Sequence, residues 1–171
     1  MFSIPEEGKA KSQQDQDHAV FFDWEGVVHH KYASPCQTIN KDHYLNVLHL
    51  LRDAIQRKQL QLWATGDWQL HHDNAPAHAS GLVQNSLVKH QITQVTQPLS
   101  SPDLAPCDLW LFPKLKSPLK GKRFQNMDET QENMMGQLMA IPTKDFAESF
   151  EQWKRHWQNC VRSQGAYFEG D

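Results

Sequence analysis

The chain has 171 residues, 39% of them hydrophobic and 22% charged, and a formal net charge of −3; that is one domain able to bury a sizeable core, with a balance that argues against a strong general affinity for nucleic acid. No apolar run is long enough to span a membrane, and the opening MFSIPEEGKAK has no signal-peptide core. Three cysteines, Cys36, Cys107 and Cys160, are odd in number and far apart, which argues against a disulfide framework, for a reducing, intracellular compartment, and, with no CxxC pair, against structural zinc.

Met1 to His18 is polar, carries the run KSQQDQD and lacks helical or strand periodicity, so it reads as a disordered tail ahead of a folded region over residues 19–171. Ala19–Phe22 and Val27–Tyr32 are short apolar runs joined by DWEG, in which Gly26 is able to take a positive φ. They read as a β-hairpin with Asp23 in its turn, ended by Ser34 and Pro35. Asn40 is a good N-cap, and Tyr44, Leu45, Val47, Leu48, Leu51 and Ile55 then recur at helical spacing to about Lys58. Trp68–His72 is the next strand. His78–Lys89 reads as a helix with Leu82, Val83 and Leu87 inward, and Ile92–Val95 as a short strand. Pro98–Pro106 is turn-rich. Asp108–Leu115 is a helix limited by Pro118. Asp128–Met139 and Thr143–Arg162 are two C-terminal helices separated by Pro142, with Thr143 as a cap. Phe146, Phe150, Trp153 and Trp157 share one face of the last helix, a core pattern.

Two aspartates stand out on this frame. Asp73, in HHDNAPAH, ends a strand, and Asp108, in SSPDLAPCDLWLF, opens a helix 35 positions later. Carboxylates so placed can converge on a metal cluster. Hard cations such as Mg²⁺ take oxygen ligands, and paired metals clamp the attacking and leaving oxygens in phosphoryl transfer. Local pattern alone allows a plainer role for each: Asp73 as a turn residue before Pro76, Asp108 as a first-turn acid favoured by the helix dipole. His78 either orients the site or caps the following helix. The pairs His29–His30 and His71–His72 cannot chelate as units, since adjacent strand residues face opposite sides. His72 and Asp73 spell the HD of metal phosphohydrolases, but the other residues such a site requires are not identifiable. The densest basic stretch, KLKSPLKGKRF, holds Lys114, Lys116, Lys120, Lys122 and Arg123. It is either a solvated loop or a set of phosphate contacts that would position a duplex without reading it.

Four blocks in order, VFFDWEGVVHHKYASPCQTINKDHYLNVL, HHDNAPAH, SPDLAPCDLWLFPKLK and WQNCVRSQGAYFEGD, resemble the catalytic domain of mariner-type transposases of the mariner/Tc1 superfamily, over about nine-tenths of the chain. The resemblance implies an α/β, ribonuclease H-like fold with C-terminal helices. The order of elements fits that fold with the first strand missing. It makes Asp73 the counterpart of the second catalytic acid and Asp108 of the third, with Asp103 a turn residue and Mg²⁺ or Mn²⁺ the ion. The first acid belongs on the first strand. Asp15, Asp17, Asp23, Glu6, Glu7 and Glu25 are not placed to replace it. Two carboxylates leave much of an ion's shell to water, so the ion is held weakly and DNA cleavage and strand transfer are not expected. Nothing matches the family's helix-turn-helix domains, so DNA binding is expected to be weak and non-specific. The family implies a nuclear location and leaves a homodimer open. Two alternatives stand beside this degenerate-site reading: an active metal nuclease whose third acid comes from another chain, and an interaction protein or relic without a selected role.

Overall fold

A computed structural model describes residues 18–34, 37–98, 104–119, 124 and 126–163. They belong to two compact units, the first drawn from Met1–Asp23 and Val27–Leu99, the second from Trp24–Gly26 and Ser100–Asp171. Of the stretch read as a tail, Met1–Asp17 lies outside the described residues, and His18 begins a strand.

Strands β1 (His18–Asp23) and β2 (Gly26–Tyr32) form a two-stranded sheet joined through Trp24 and Glu25. Gly26 has φ 140°, the positive value expected of this turn and one a side chain rarely tolerates. His18 stacks on Tyr32 at 3.8 Å, Phe21 meets His29 at 6.3 Å, and His30 turns its edge to His18. His29 and His30 thus meet different partners, as a period of two requires. Asp23 departs from the sequence reading: it is the last residue of β1 rather than a turn residue, and it is fully buried. Gln59 Nε2 donates to its Oδ2 at 2.6 Å, the kind of partner a buried carboxylate needs.

Helix α1 (Lys41–Lys58) starts where the sequence placed it, because Asn40 Oδ1 accepts from the backbone N–H of Asp42 and of His43 at 3.1 and 2.9 Å. Its buried stripe is Tyr44, Val47, Leu48, Leu51, Ala54 and Ile55. A short helix not expected from the sequence, α2 (Leu60–Thr65), follows; Leu62 and Trp63 are only partly buried against the core, and it ends at Gly66, φ 69°. Strands β3 (Gln69–His72) and β4 (Thr93–Thr96) pair in parallel, Gln69 opposite Thr93 and His72 opposite Thr96. Parallel strands need a crossover, and α3 (Gly81–Lys89) supplies it. This helix begins at Gly81 rather than His78, since Ser80 is the cap and its Oγ accepts from Val83 N–H. Val83 and Leu87 point inward as expected, whereas Leu82 is 41% exposed. It sits about 100° round the helix from Val83, off the stripe.

Phe21, Val28, the α1 stripe, Trp68, Leu70, Val83 and Leu87 form one apolar cluster. The two sheets of this unit therefore share a core although no ladder joins them among the described residues. These four strands are the ones found among the described residues.

In the second unit the stretch read as one helix from Asp108 is two segments. Cys107–Leu111 is a π-helical turn and Phe112–Lys116 is α4. Pro113 has no N–H to return to Leu109, and the turn before it widens so that Phe112 N–H donates to Cys107 O. Helix α5 (Met127–Met139) is capped by Asn126, whose Oδ1 accepts from Glu129 N–H at 2.8 Å. Helix α6 (Thr143–Arg162) has the expected bounds, but Thr143 is its first helical residue; Pro142 occupies the cap position and makes no side-chain cap bond. Phe146, Phe150 and Trp153 are buried, and Trp157 meets Trp153 edge-on. Trp153 Nε1 donates to Leu104 O at 2.7 Å, satisfying the polar end of a buried ring. No helix among the described residues is long and apolar enough to cross a membrane.

Candidate functional site

Asp73 follows the last residue of β3, where the parallel pair ends and the chain turns toward α3. It is buried. Its Oδ1 accepts from Ala75 N–H at 3.1 Å and from His78 Nδ1 at 2.5 Å. Its Oδ2 makes no hydrogen bond among the described residues. The first bond is the turn chemistry that HDNAP suggested. The second ties the acid to a histidine that belongs to the turn ahead of α3, not to the helix itself.

His78 is held on every side. Its backbone N–H donates to Ala75 O, and its carbonyl accepts from Gln84 Nε2. Its ring lies 3.9 Å from the Tyr44 ring and is stacked on His72, with planes 5° apart at 5.1 Å. Tyr44 closes the group, its hydroxyl 2.6 Å from His72 Nδ1. Tyr44 was not singled out as a site residue, and His72 was weighed only as a metal ligand of the HD type. Tyr44 reads as one more member of the apolar stripe of α1, and nothing local reveals a partner 28 positions away.

His71 and His72 are both buried. Burial pushes His72 down to about 3, with His78 acting the same way and Asp73 opposing; burial pushes His71 down to about 4, Asp73 again opposing. Tyr44 engages the Nδ1 of His72, and no group of three or more ligand side chains that an HD site would need gathers among the described residues.

Asp108 lies in the second unit, in the first turn of the π-helical segment, and is partly exposed. Among the basic residues, Lys114 Nζ donates to Asp145 Oδ2 at 2.5 Å and sits 5.5 Å from the Trp110 ring. Lys116 is exposed, 5.8 Å from the Phe112 ring. Lys120, Lys122 and Arg123 lie outside the described residues, as do Asp15, Asp17 and Asp103. Among the described residues no group of three or more His, Cys, Asp or Glu gathers as a metal site would require.

No family model matches the chain. It is 31% identical over 145 residues to histone-lysine N-methyltransferase SETMAR of Homo sapiens, a match that covers 84% of this chain and 21% of that one. It is 27% identical over 151 residues to the Mariner Mos1 transposase of Drosophila mauritiana, covering 88% of this chain and 44% of that one. The chain thus spans less than half the length of these curated relatives. The crystal structure of the catalytic domain of Mos1 mariner transposase matches with a TM-score of 0.85 at 26% identity, over 98% of this chain and 83% of that one. The Mos1 mariner paired end complex with Mn matches with a TM-score of 0.80 at 26% identity, over 96% of this chain and 49% of that one.

Proposed function

Because the chain belongs to the mariner-type transposases and has the ribonuclease H-like fold of their catalytic domain, we propose that it keeps two of that domain's acids, Asp73 and Asp108, and binds DNA weakly in the nucleus without cutting it. The observation that carries this reading is the state of Asp73. One oxygen is fixed by two donors and the other is uncommitted. An uncommitted carboxylate oxygen suits a hard divalent cation such as Mg²⁺ or Mn²⁺. Asp73 offers such an oxygen, and the family resemblance makes Asp108 the counterpart of a second acid. A bound ion would neutralise charge on phosphoryl oxygens; productive transfer uses a second ion to serve the leaving group, and two acids leave that ion without its ligands.

The DNA contacts fall to the basic stretch. Lys114 is committed to Asp145, which leaves Lys116, Lys120, Lys122 and Arg123. Contacts of this kind go to phosphates and carry no sequence information. About four of them predict a salt slope of roughly −3 to −4 in log K against log salt. Fluorescence anisotropy with duplexes of unrelated sequence, titrated at several salt concentrations, is expected to give that slope and nearly equal affinities. Salt-resistant binding confined to one transposon-end sequence would contradict it.

A further inference from the structure

Asp73 alone does not explain why three side chains from three parts of the first unit are locked together beside it. Tyr44 comes from α1, His72 from the end of β3, and His78 from the turn before α3. We infer that His78 is the positioning residue of Asp73: its Nδ1–H holds Oδ1, the Tyr44–His72 pair holds its ring, and Oδ2 is thereby fixed as the oxygen presented to a cation. This rests on the reading of Asp73 as a cation ligand.

The geometry supports each step. A carboxylate oxygen only accepts, so the 2.5 Å contact places a proton on His78 Nδ1. The Ala75 N–H shares Oδ1 at 3.1 Å, so rotation of the carboxylate to exchange its oxygens breaks two hydrogen bonds. The imidazole cannot swing away either. Tyr44 lies 3.9 Å from one ring and donates to or accepts from the other, and the two imidazoles are parallel within 5°. A plain capping role needs none of this, because the cap of α3 is Ser80. Partners that orient a ligand typically contribute a factor of about 10 to 100 in metal affinity.

Three substitutions separate positioning from packing. His78→Phe keeps a ring against Tyr44 and removes the donor. His78→Asn places an amide N–H where Nδ1 was and removes the ring. His78→Gln places its amide where Nε2 was, away from Asp73. Mn²⁺ binding is read by calorimetry and by the loss of the free-ion electron paramagnetic resonance signal, with thermal melts of every variant alongside. Phe and Gln are expected to weaken binding about tenfold or more, and Asn to stay within about threefold of the unsubstituted chain. Equal affinity in all four, or loss in Asn with retention in Phe, overturns the inference. A Phe variant that does not fold leaves the Asn and Gln pair to decide it. An unsubstituted chain that binds no Mn²⁺ overturns the functional reading and the inference with it. One that binds Mn²⁺, but equally with His78→Gln, overturns the inference alone.

Discussion

Phe21→Ala is expected to destabilise the first unit by about 3–5 kcal/mol, close to the whole stability of a small domain. Phe21 is fully buried and belongs to the cluster that includes the α1 stripe, Leu70, Val83 and Leu87. The reason for so large a cost is topological. β1 pairs with β2 and β3 with β4, with no ladder joining the pairs among the described residues, and an isolated two-stranded sheet is marginal in water. What holds both is side-chain packing on the shared core, so a cavity there weakens both sheets together. Urea denaturation followed by circular dichroism checks this. Leu60→Ala, at a residue 69% exposed, is the control and is expected to change stability by no more than about 0.5 kcal/mol. Equal effects of the two substitutions would show that the hairpin is not anchored in this core.

The second large effect is acid unfolding. Burial, with His30 beside it, pushes His18 down to about 3, and burial also pushes His29 down to about 4; His71 and His72 are depressed in the same way. A histidine that stays neutral when folded but titrates near 6.5 when unfolded binds more protons in the unfolded state below that pH. Its stabilisation is therefore complete above about pH 6.5 and is lost as pH falls toward 3–4. Every pH unit separating the folded and unfolded titration midpoints is worth about 1.4 kcal/mol, with a smaller share for the half-buried His29. The two well-buried residues, His71 and His72, alone approach the usual stability of a domain, so cooperative unfolding is expected between about pH 6 and pH 4. His18→Phe keeps a ring on Tyr32 and removes one titrating group. It is expected to reduce the slope of stability against pH by up to about 1.4 kcal/mol per pH unit in that window. An unchanged slope would mean that His18 titrates alike in the folded and unfolded chain.

The sequence disclosed most of the helices because their signals are local. Asn40 followed by six stripe positions gives α1 its start and its inner face, and the Phe146, Phe150, Trp153 spacing does the same for α6. α2 was not legible, having neither a capping side chain nor a buried stripe. The π-helical turn at Asp108 was hidden because its cause, the missing N–H of Pro113, acts several residues away. Among the candidate residues, Asp73 and Asp108 stood out through their motifs and His78 through its nearness to Asp73. Tyr44 did not, nor did the role of His72 as its partner, because a contact across 28 positions is made by the packing of α1 on β3 and leaves no pattern in either segment. Asp23 misled for a related reason: DWEG reads as a turn, but the fold buries its first residue against Gln59.

The most direct test of a site that holds a cation without cutting DNA is a supercoiled-plasmid nicking assay with Mg²⁺ and with Mn²⁺, run on the unsubstituted chain and on Asp73→Ala. The account predicts no nicking by either protein with either metal, because the proposed reading counts two acids, Asp73 and Asp108, too few to hold the pair of ions that phosphoryl transfer uses. Metal-dependent nicking by the unsubstituted chain that Asp73→Ala abolishes would contradict it, and would require a third acid from another part of this chain or from a partner.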